Sequence, residues 1–245
     1  MTPNITTTNE ATTYVLLHGA FHGGWCWRRV AEPLRAAGHR VFTPTLTGLG
    51  ERAHLISTHV TIDVMVNDLV NVLEFEDLNN VVLVAHSFGG IVATGALAHV
   101  RKRLAKLVLL DSLLVLKSGN SPFMAIPPEA AAARRKQAQV TSSGVSIPVP
   151  EAAAFGVTAP QDAAWLNAKC TPHPLASYES PLHFTEPVAS SLPVTYVAVT
   201  PYYSATVTAR DHAKTRSDWR YIEIEAGHDA MVTSPEKVLQ ILRDL

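Results

Sequence analysis

A serine in a tight, glycine-rich turn is the most informative feature of the sequence. Ser87 lies in the segment Ala85–Gly90, directly after the apolar run Val81–Val84 and directly before a segment with helical periodicity. A sharp strand-to-helix turn of this kind projects a serine hydroxyl above the edge of a sheet. Small residues on either side let the backbone bend without collision. We therefore predict Ser87 as a nucleophile; a serine that merely caps a helix is the alternative.

A serine hydroxyl needs a base to become a good nucleophile. His228 follows the last predicted strand and precedes the C-terminal helical segment, and no other of the 11 histidines comes so late in the chain. An imidazole at this position would accept the proton of Ser87 during attack on a carbonyl carbon. We predict His228 as that base, with a structural or surface histidine as the alternative.

A second glycine-rich loop, His18–Gly24, follows the first predicted strand. Such a loop leaves backbone N–H groups free to face a reacting centre, as an oxyanion hole requires. We predict the N–H groups of Ala20 and Phe88 as the donor pair, assisted by the positive end of the helix after Ser87. A phosphate-binding loop is the alternative, but the glycine spacing differs from the dinucleotide fingerprint and no Lys-Ser/Thr pair follows.

Apolar, β-branched runs alternate with helical segments over most of the chain. This alternation predicts an α/β fold with a mostly parallel central sheet of about six strands and helices on both faces. The predicted strands are Thr13–Leu17, Arg40–Thr43, Asn80–Ala85, Lys106–Leu110, Val194–Thr200 and Trp219–Ile224. The predicted helices are Trp27–Ala37, Thr61–Leu73, Gly89–Val100, Ala205–Lys214 and Pro235–Leu245.

The alternation breaks at about residues 113–187, which are rich in Ala and Pro. This stretch shows no strand pattern; it contains the Ala-rich run Glu129–Ala133, a connector over Thr141–Pro150 and a helical piece over Pro160–Lys169. It is too long for a plain loop. We predict a small helical cap over the carboxyl edge of the sheet, within a single domain that spans residues 1–245.

Composition excludes several classes of protein. The net charge is −1 and basic residues are scattered, so we expect no nucleic-acid partner. No segment reaches the roughly 18 apolar residues of a membrane span. Residues 1–13 lack the features of a signal peptide, which predicts a cytoplasmic protein. Cys26 and Cys170 match no metal-ligand spacing and are expected to be reduced, buried thiols. Monomer and homodimer stay open.

The ordered set of motifs resembles the α/β-hydrolase superfamily, in the branch that holds plant methylesterases, hydroxynitrile lyases and small bacterial pyrethroid and carbamate-fungicide hydrolases. The matching stretches cover most of the chain: His18–Trp27, Gly38–Val41, Thr43–Thr45, Thr47–His54, Ala85–Gly90, Asp162–Leu166, Thr171–Leu175 and Gly227–Met231. The resemblance implies a Ser-His-acid hydrolase that uses neither a metal nor an organic cofactor and acts on esters of hydrophobic acids or alcohols.

The resemblance also bears on the acid of the triad. In the plant branch the acid follows the strand that corresponds to Val194–Thr200, where this chain has Pro201–Ser204 and no carboxylate. Some members of the superfamily take the acid from the strand after the nucleophile helix, and that strand ends here at Asp111. We predict Asp111 as the acid. Asp211 is a less well placed alternative, and a triad without an acid is the third.

The predicted substrate is a small hydrophobic carboxylic ester, with a carbamate as a variant, cleaved through an acyl-enzyme intermediate. The predicted pocket residues lie beside the oxyanion loop, beside Ser87 and in the cap: Phe21, Trp25, His86, Phe123, Met124 and Trp165, with Ile126, Phe155 and Leu166 as further candidates. For each cap residue, packing of the cap onto the core is the alternative.

Two other functions fit the same fold. The first is a carbon–carbon lyase of the hydroxynitrile type, but those enzymes carry a lysine directly after the histidine, where this chain has Asp229. The second is a non-hydrolytic binding or cyclase-type protein, which a triad without an acid would favour.

Overall fold

The structure is a computed structural model that describes residues 11–185, 188–190 and 192–245. The N-terminal segment, on which the prediction about an export signal rests, lies almost entirely outside these ranges. Within them, no helix has both the length and the apolar character needed to cross a membrane.

Six of the strands in the described residues lie close to their predicted positions. In chain order they are β1 (Thr13–Leu17), β2 (Arg40–Phe42), β3 (Val81–His86), β4 (Leu104–Leu110), β5 (Ser146–Ile147), β6 (His173–Pro174), β7 (Val194–Thr200) and β8 (Trp219–Glu225). Six of them pair in parallel in the order β2-β1-β3-β4-β7-β8. Every residue of β1 and β3 is buried, which explains why these strands are continuously apolar instead of alternating. The prediction of a parallel α/β sheet is confirmed.

Helices connect the strands and pack in two groups. They are α1 (Arg28–Ala36), α2 (Ile62–Phe75), α3 (Gly89–Val100), α4 (Pro128–Ser142), α5 (Pro160–Lys169), α6 (Leu175–Glu179), α7 (Val207–Thr215), α8 (Ala230–Thr233) and α9 (Pro235–Arg243). Along the sheet, the chain moves in one direction from β1 to β2 and in the other direction from β2 to β3 and on to β4. Because such connections are right-handed, α1 lies on one face of the sheet and α2 and α3 lie on the other; α1 also packs against α9, and α2 against α3.

The insertion between β4 and β7 differs in part from its prediction. The helix that starts at Pro128 continues to Ser142, well beyond the Ala-rich run, because Arg, Lys and Gln also favour helix. It ends where Ser143 and Gly144 adopt φ values of +52° and +84°. The expectation that this stretch lacks strands is wrong, since β5 and β6 form a short antiparallel ladder. Two-residue strands are too short to produce a period-two pattern in the sequence.

Residues 113–187 therefore hold α4, α5 and α6 together with this ladder. Their status as a cap on a single domain stays a prediction, and the last two residues of the stretch lie outside the described ranges.

The buried central strand β3 should dominate stability. Leu83 is fully buried in this strand, so Leu83→Ala should lower the free energy of unfolding by about 2–5 kcal/mol, as lost apolar burial adds to the cost of a cavity. Phe75→Ala is the control, because Phe75 is 84% exposed and such surface changes usually stay within about 0.5 kcal/mol. Urea denaturation of both variants measures the difference, and equal losses would contradict the assignment of the core.

Candidate active site

The turn after β3 places Ser87 at the carboxyl edge of the sheet. Ser87 adopts a φ of +51°, a strained conformation for a residue with a side chain. The two glycines that follow it allow close backbone contacts: a Cβ on Gly89 would lie 2.7 Å from the carbonyl oxygen of His18, and one on Gly90 would lie 2.6 Å from that of Leu113. Larger residues at these two positions would push the turn away from its neighbours.

His228 connects Ser87 to Asp111 through two hydrogen bonds. The Nε2 atom of His228 lies 3.0 Å from Oγ of Ser87, and its Nδ1 atom lies 2.6 Å from Oδ2 of Asp111. Because a carboxylate only accepts hydrogen bonds, Nδ1 carries the imidazole proton and the lone pair of Nε2 faces the serine hydroxyl. All three side chains are buried. This is the arrangement that allows the imidazole to remove a proton from serine.

The position of Asp111 follows from the topology of the sheet. Asp111 comes directly after β4, which pairs with β3, so parallel pairing brings it to the same edge as Ser87. Its Oδ1 atom accepts a hydrogen bond of 3.1 Å from the hydroxyl of Thr206. Asp211, the alternative acid, lies on α7 with its carboxylate 65% exposed and 3.6 Å from Arg210. The structure thus brings Asp111, and not Asp211, to His228.

Two aromatic side chains hold His228 in place, one at its ring and the other at its backbone. Tyr203 stacks on it with ring centroids 3.9 Å apart, and Nε2–H of His86 donates a 3.0 Å hydrogen bond to the carbonyl oxygen of His228. Burial, with a further contribution from His228, lowers the pKa of His86 to about 3, so His86 is neutral near pH 7. His86 therefore fixes the loop that carries His228 without adding a charge beside it.

The loop after β1 presents free N–H groups next to Ser87. In the part of the chain that the structure describes, neither the N–H of Ala20 nor that of Phe88 donates to another protein group. The adjoining Phe21 is held by its neighbours, since its carbonyl accepts a 2.9 Å hydrogen bond from Thr171. A Cβ on Gly19 would lie 2.8 Å from Cβ of Ser87, so only glycine permits this close approach. The role of the two N–H groups as an oxyanion hole stays a prediction.

A buried ion pair joins the loop after β1 to the loop that carries His228. Nε2–H of His22 donates a 2.9 Å hydrogen bond to Oδ2 of Asp229, and Nδ1–H of His22 donates a 2.7 Å hydrogen bond to the carbonyl oxygen of Ala20. Burial alone would lower the pKa of His22, but Asp229 raises it well above 6.5. Burial would likewise raise the pKa of Asp229, but the charge of His22 holds it below 3.8. Sequence reasoning noted Asp229 only as an anion and missed its partner.

The candidate site is almost closed. The space above Ser87 contains a cavity of about 10 Å³, room for at most one water molecule. Its lining residues come from the loop after β1, the segments around Ser87 and His228, the segment after β7 and the insertion: Ala20, Phe21, His22, His86, Ser87, Leu113, Arg134, Phe155, Tyr178, Tyr203, Ala205, His228 and Asp229. A substrate can therefore enter only if some of these side chains move.

Only some of the predicted pocket residues reach this cavity. Phe21, His86 and the further candidate Phe155 do. Met124 does not, because it is 67% exposed, and its buried neighbour Phe123 packs against Tyr178 instead. Trp25 and Trp165 also lie elsewhere, in edge-to-face contact with ring centroids 5.0 Å apart. For the residues of the insertion, the way it folds over the sheet decides which side chains reach the cavity.

Among the cavity-lining residues that lie outside the predicted motifs and were not predicted for the pocket, three have polar side chains: Arg134, Tyr178 and Tyr203. Arg134 lies within the long helix α4 and Tyr178 within α6, where no motif distinguishes them from their neighbours. Tyr203 belongs to the segment after β7 where the plant branch has its triad acid, and that position was the only sequence feature that could have indicated a role for it.

Cys26 is buried as expected, whereas Cys170 is partly exposed; both are free thiols.

A metal site at this place is disfavoured by the chemistry of its donors. Ligand atoms of His86, His228 and Asp229 lie within 4.8 Å of one another. Both ring nitrogens of His228 already have partners, and Asp229 is paired with the cationic His22. A cation here would compete with His22 for the carboxylate, so we assign the cluster to hydrogen bonding.

The ion pair of His22 and Asp229 should make stability depend on pH. A raised histidine pKa stabilises the fold fully below 6.5, the pKa of unfolded histidine, and this contribution is lost as the pH rises through the folded pKa. The lowered pKa of Asp229 contributes above 3.8 and is lost in more acidic solution. Asp229→Asn should therefore lower the free energy of unfolding by about 3–5 kcal/mol at pH 6 and by less at pH 9.

Urea denaturation at the two pH values measures this effect. Asp218→Asn is the matched control, because Asp218 forms an exposed pair with Arg216 and should change stability little at either pH. An equal loss for Asp229→Asn at pH 6 and pH 9 would mean that the buried pair is not ionised.

Comparisons with known proteins agree with the geometry. The chain is 36% identical over 243 residues to a carbendazim hydrolyzing esterase from Nocardioides sp. (strain SG-4G), a match that covers 95% of this chain and 98% of that protein. It is 38% identical over 102 residues to methylesterase 9 from Arabidopsis thaliana, which covers 41% of this chain and 40% of that protein.

Solved structures share the fold. An extracellular α/β-hydrolase from a Paenibacillus species superposes with a TM-score of 0.78 at 22% identity, over 95% of this chain and 98% of that chain. A variant of polyneuridine aldehyde esterase superposes with a TM-score of 0.76 at 20% identity, over 96% of this chain and 99% of that chain. The model of the alpha/beta hydrolase family matches residues 14–241. This chain therefore belongs to the α/β-hydrolase family.

Proposed function

We propose that the protein is a serine esterase that cleaves small hydrophobic carboxylic esters through an acyl-enzyme intermediate. The observation that carries this proposal is the hydrogen-bonded relay in which Asp111, His228 and Ser87 follow one another at 2.6 and 3.0 Å. Each member comes from a different loop at the carboxyl edge of the sheet. Such a relay has the geometry for nucleophilic attack on an acyl carbon.

In the first half of the reaction, Oγ of Ser87 attacks the carbonyl carbon of the ester while Nε2 of His228 accepts the hydroxyl proton. Asp111 keeps the proton of His228 on Nδ1 and stabilises the imidazolium that forms. The imidazolium then gives its new proton to the departing alcohol oxygen. The first product is the alcohol, and the acyl group remains on Ser87 as an ester.

In the second half, a water molecule takes the place of the alcohol. His228 accepts a proton from this water as it attacks the acyl-enzyme, and then returns the proton to Oγ of Ser87. In both halves the carbonyl oxygen becomes negatively charged. The free N–H groups of Ala20 and Phe88 are suited to bind that oxyanion, because they need no rearrangement when the charge appears.

The walls of the closed cavity suggest the kind of substrate. Phe21, Phe155 and Tyr178 provide aromatic surface around Ser87, which favours a small apolar or aromatic group. The similarity to an esterase that hydrolyses carbendazim makes a carbamate a reasonable variant. We also propose that the insertion after Asp111 acts as a cap, since it supplies two of these three rings. A cytoplasmic location and the choice between monomer and homodimer stay predictions from the sequence.

The lyase alternative loses support at Asp229. Cyanide release calls for a cation next to the catalytic histidine, but this residue is a fully buried anion paired with His22. Release of cyanide from aromatic cyanohydrins without any ester cleavage would revive that alternative.

Substitution of the triad acid tests the proposal. Asp111→Asn should lower kcat by about 10⁴-fold, because the amide no longer favours the reactive tautomer of His228. Asp211→Asn is the matched control and should keep the full rate, since its carboxylate is exposed on α7. The assay is a panel of nitrophenyl esters with varied acyl chains. Full activity of Asp111→Asn would show that Asp111 is not the acid of the triad, but it would not contradict Ser87 as the nucleophile.

Labelling of the serine tests the proposal independently of any chosen ester. An organophosphorus reagent should form an adduct on Ser87 in the native protein and none in Ser87→Ala, because only an activated serine reacts with it. Mass spectrometry of the intact protein and of its peptides detects the adduct. A folded native protein that forms no adduct would favour the non-hydrolytic binding protein.

A further inference from the structure

Arg134 brings a positive group with one unpaired, buried donor to the wall of the candidate site. The residue lies on α4, one of the helices inserted between β4 and β7, and lines the same cavity as Ser87 and His228. Its Nη1 atom is buried and has no hydrogen-bond partner among the described residues. A guanidinium is always protonated in proteins and has only donors to offer. A buried donor of this kind is costly unless an acceptor binds to it.

No carboxylate of the described residues neutralises Arg134 through an ion pair. The two acidic residues next to the cavity already have partners, since Asp111 binds His228 and Asp229 binds His22. The neighbouring Arg135 does pair with an acid, Glu179, at 3.2 Å on the exposed side. The two adjacent arginines of this helix therefore differ. Arg135 is paired at the surface, whereas Arg134 has a buried donor without a partner.

The positive charge of Arg134 acts on two tyrosines that contact Phe88 and His228. Its guanidinium lies 5.2 Å from the ring centre of Tyr178. Burial raises the pKa of Tyr178, and the nearby cation opposes that rise; the same opposition of burial and Arg134 acts on the pKa of Tyr203. Tyr178 in turn contacts Phe88, the residue after the nucleophile, and Tyr203 stacks on His228.

We propose that Arg134 is a substrate-binding residue that pairs with a carboxylate, so that the preferred substrates are small esters that also carry a free carboxylate. This inference rests on the proposed esterase function and narrows its substrate class. A carboxylate matches the planar fork of a guanidinium with two parallel hydrogen bonds. It would satisfy the buried donor and neutralise the charge in a cavity that is otherwise aromatic. The carboxylate can belong to the acyl part or to the alcohol part of the ester. The kinetic test described next uses one series of esters for each case.

The kinetic test compares esters that differ only in the carboxylate. One arm uses methyl monoesters of short dicarboxylic acids, and the other uses acetyl esters of short hydroxy acids; each is paired with an apolar ester of equal length. In the native enzyme, at least one arm should show a kcat/KM at least about 10-fold above that of its apolar partner. Arg134→Gln should lower kcat/KM for the esters that carry the carboxylate far more than for their apolar partners, and so remove this preference.

Arg135→Gln is the matched control, because it removes a neighbouring arginine whose partner lies at the surface. It should leave the preference unchanged. Glutamine favours helix nearly as well as arginine, and equal thermal midpoints for the two variants would exclude a loss of folding. An equal fall of kcat/KM for both members of each pair in Arg134→Gln would overturn the assignment, as would the absence of any preference in the native enzyme.

A binding measurement separates this inference from the proposed function. In the inactive Ser87→Ala background, succinate and glutarate should raise the thermal midpoint with increasing concentration. The added substitution Arg134→Gln should abolish this rise, and Arg135→Gln should not. If succinate and glutarate bind in a way that depends on Arg134 but the native protein cleaves no ester, only the esterase proposal is refuted. Ester cleavage without any such dependence, in binding or in kcat/KM, would refute the Arg134 assignment alone.

Discussion

The imidazole of His228 must face a carboxylate on one side and a hydroxyl on the other, and much of the structure serves this requirement. Its two partners are far away in the sequence, with Ser87 after β3 and Asp111 after β4, and only parallel pairing of these strands brings both to one edge. The order β3-β4-β7-β8 then places the loop after β8 within reach of that edge. The sheet therefore acts as the frame that holds the proton relay.

Buried charges reinforce this frame in pairs. The ion pair of His22 and Asp229 ties the loop after β1 to the loop that carries His228, and a hydrogen bond from His22 to the carbonyl oxygen of Ala20 holds the first of these loops. The pair is neutral as a whole, so it positions two functional loops without changing the field at Ser87 greatly. Arg134 is the exception, because its buried donor has no protein partner in the described part of the chain. This unpaired donor is the feature on which the proposed carboxylate-binding role of Arg134 rests.

Local sequence predicts the parts of this site that depend on local geometry. Ser87 is evident because a buried strand, a turn of small residues and a helix must follow one another, and His228 because it follows the last strand. Asp111 requires an additional step, from strand order to a shared edge. The contact between His22 and Asp229 spans 207 positions and has no local signal at all. The cavity wall is equally hard to foresee: Phe123 and Met124 are adjacent, yet one is buried and the other exposed, since packing of the insertion decides which side chain turns inward.

The most direct measurement of the central claim is the tautomer of His228, determined by nitrogen NMR of protein with labelled histidine. At a pH where the imidazole is neutral, we expect a proton on Nδ1, held by Asp111, and an unprotonated Nε2 that faces Ser87. The signal of the Nδ1 proton should be lost or strongly shifted in Asp111→Asn and unchanged in Asp211→Asn. A neutral His228 with its proton on Nε2 would contradict the account, because its lone pair would then point away from the serine.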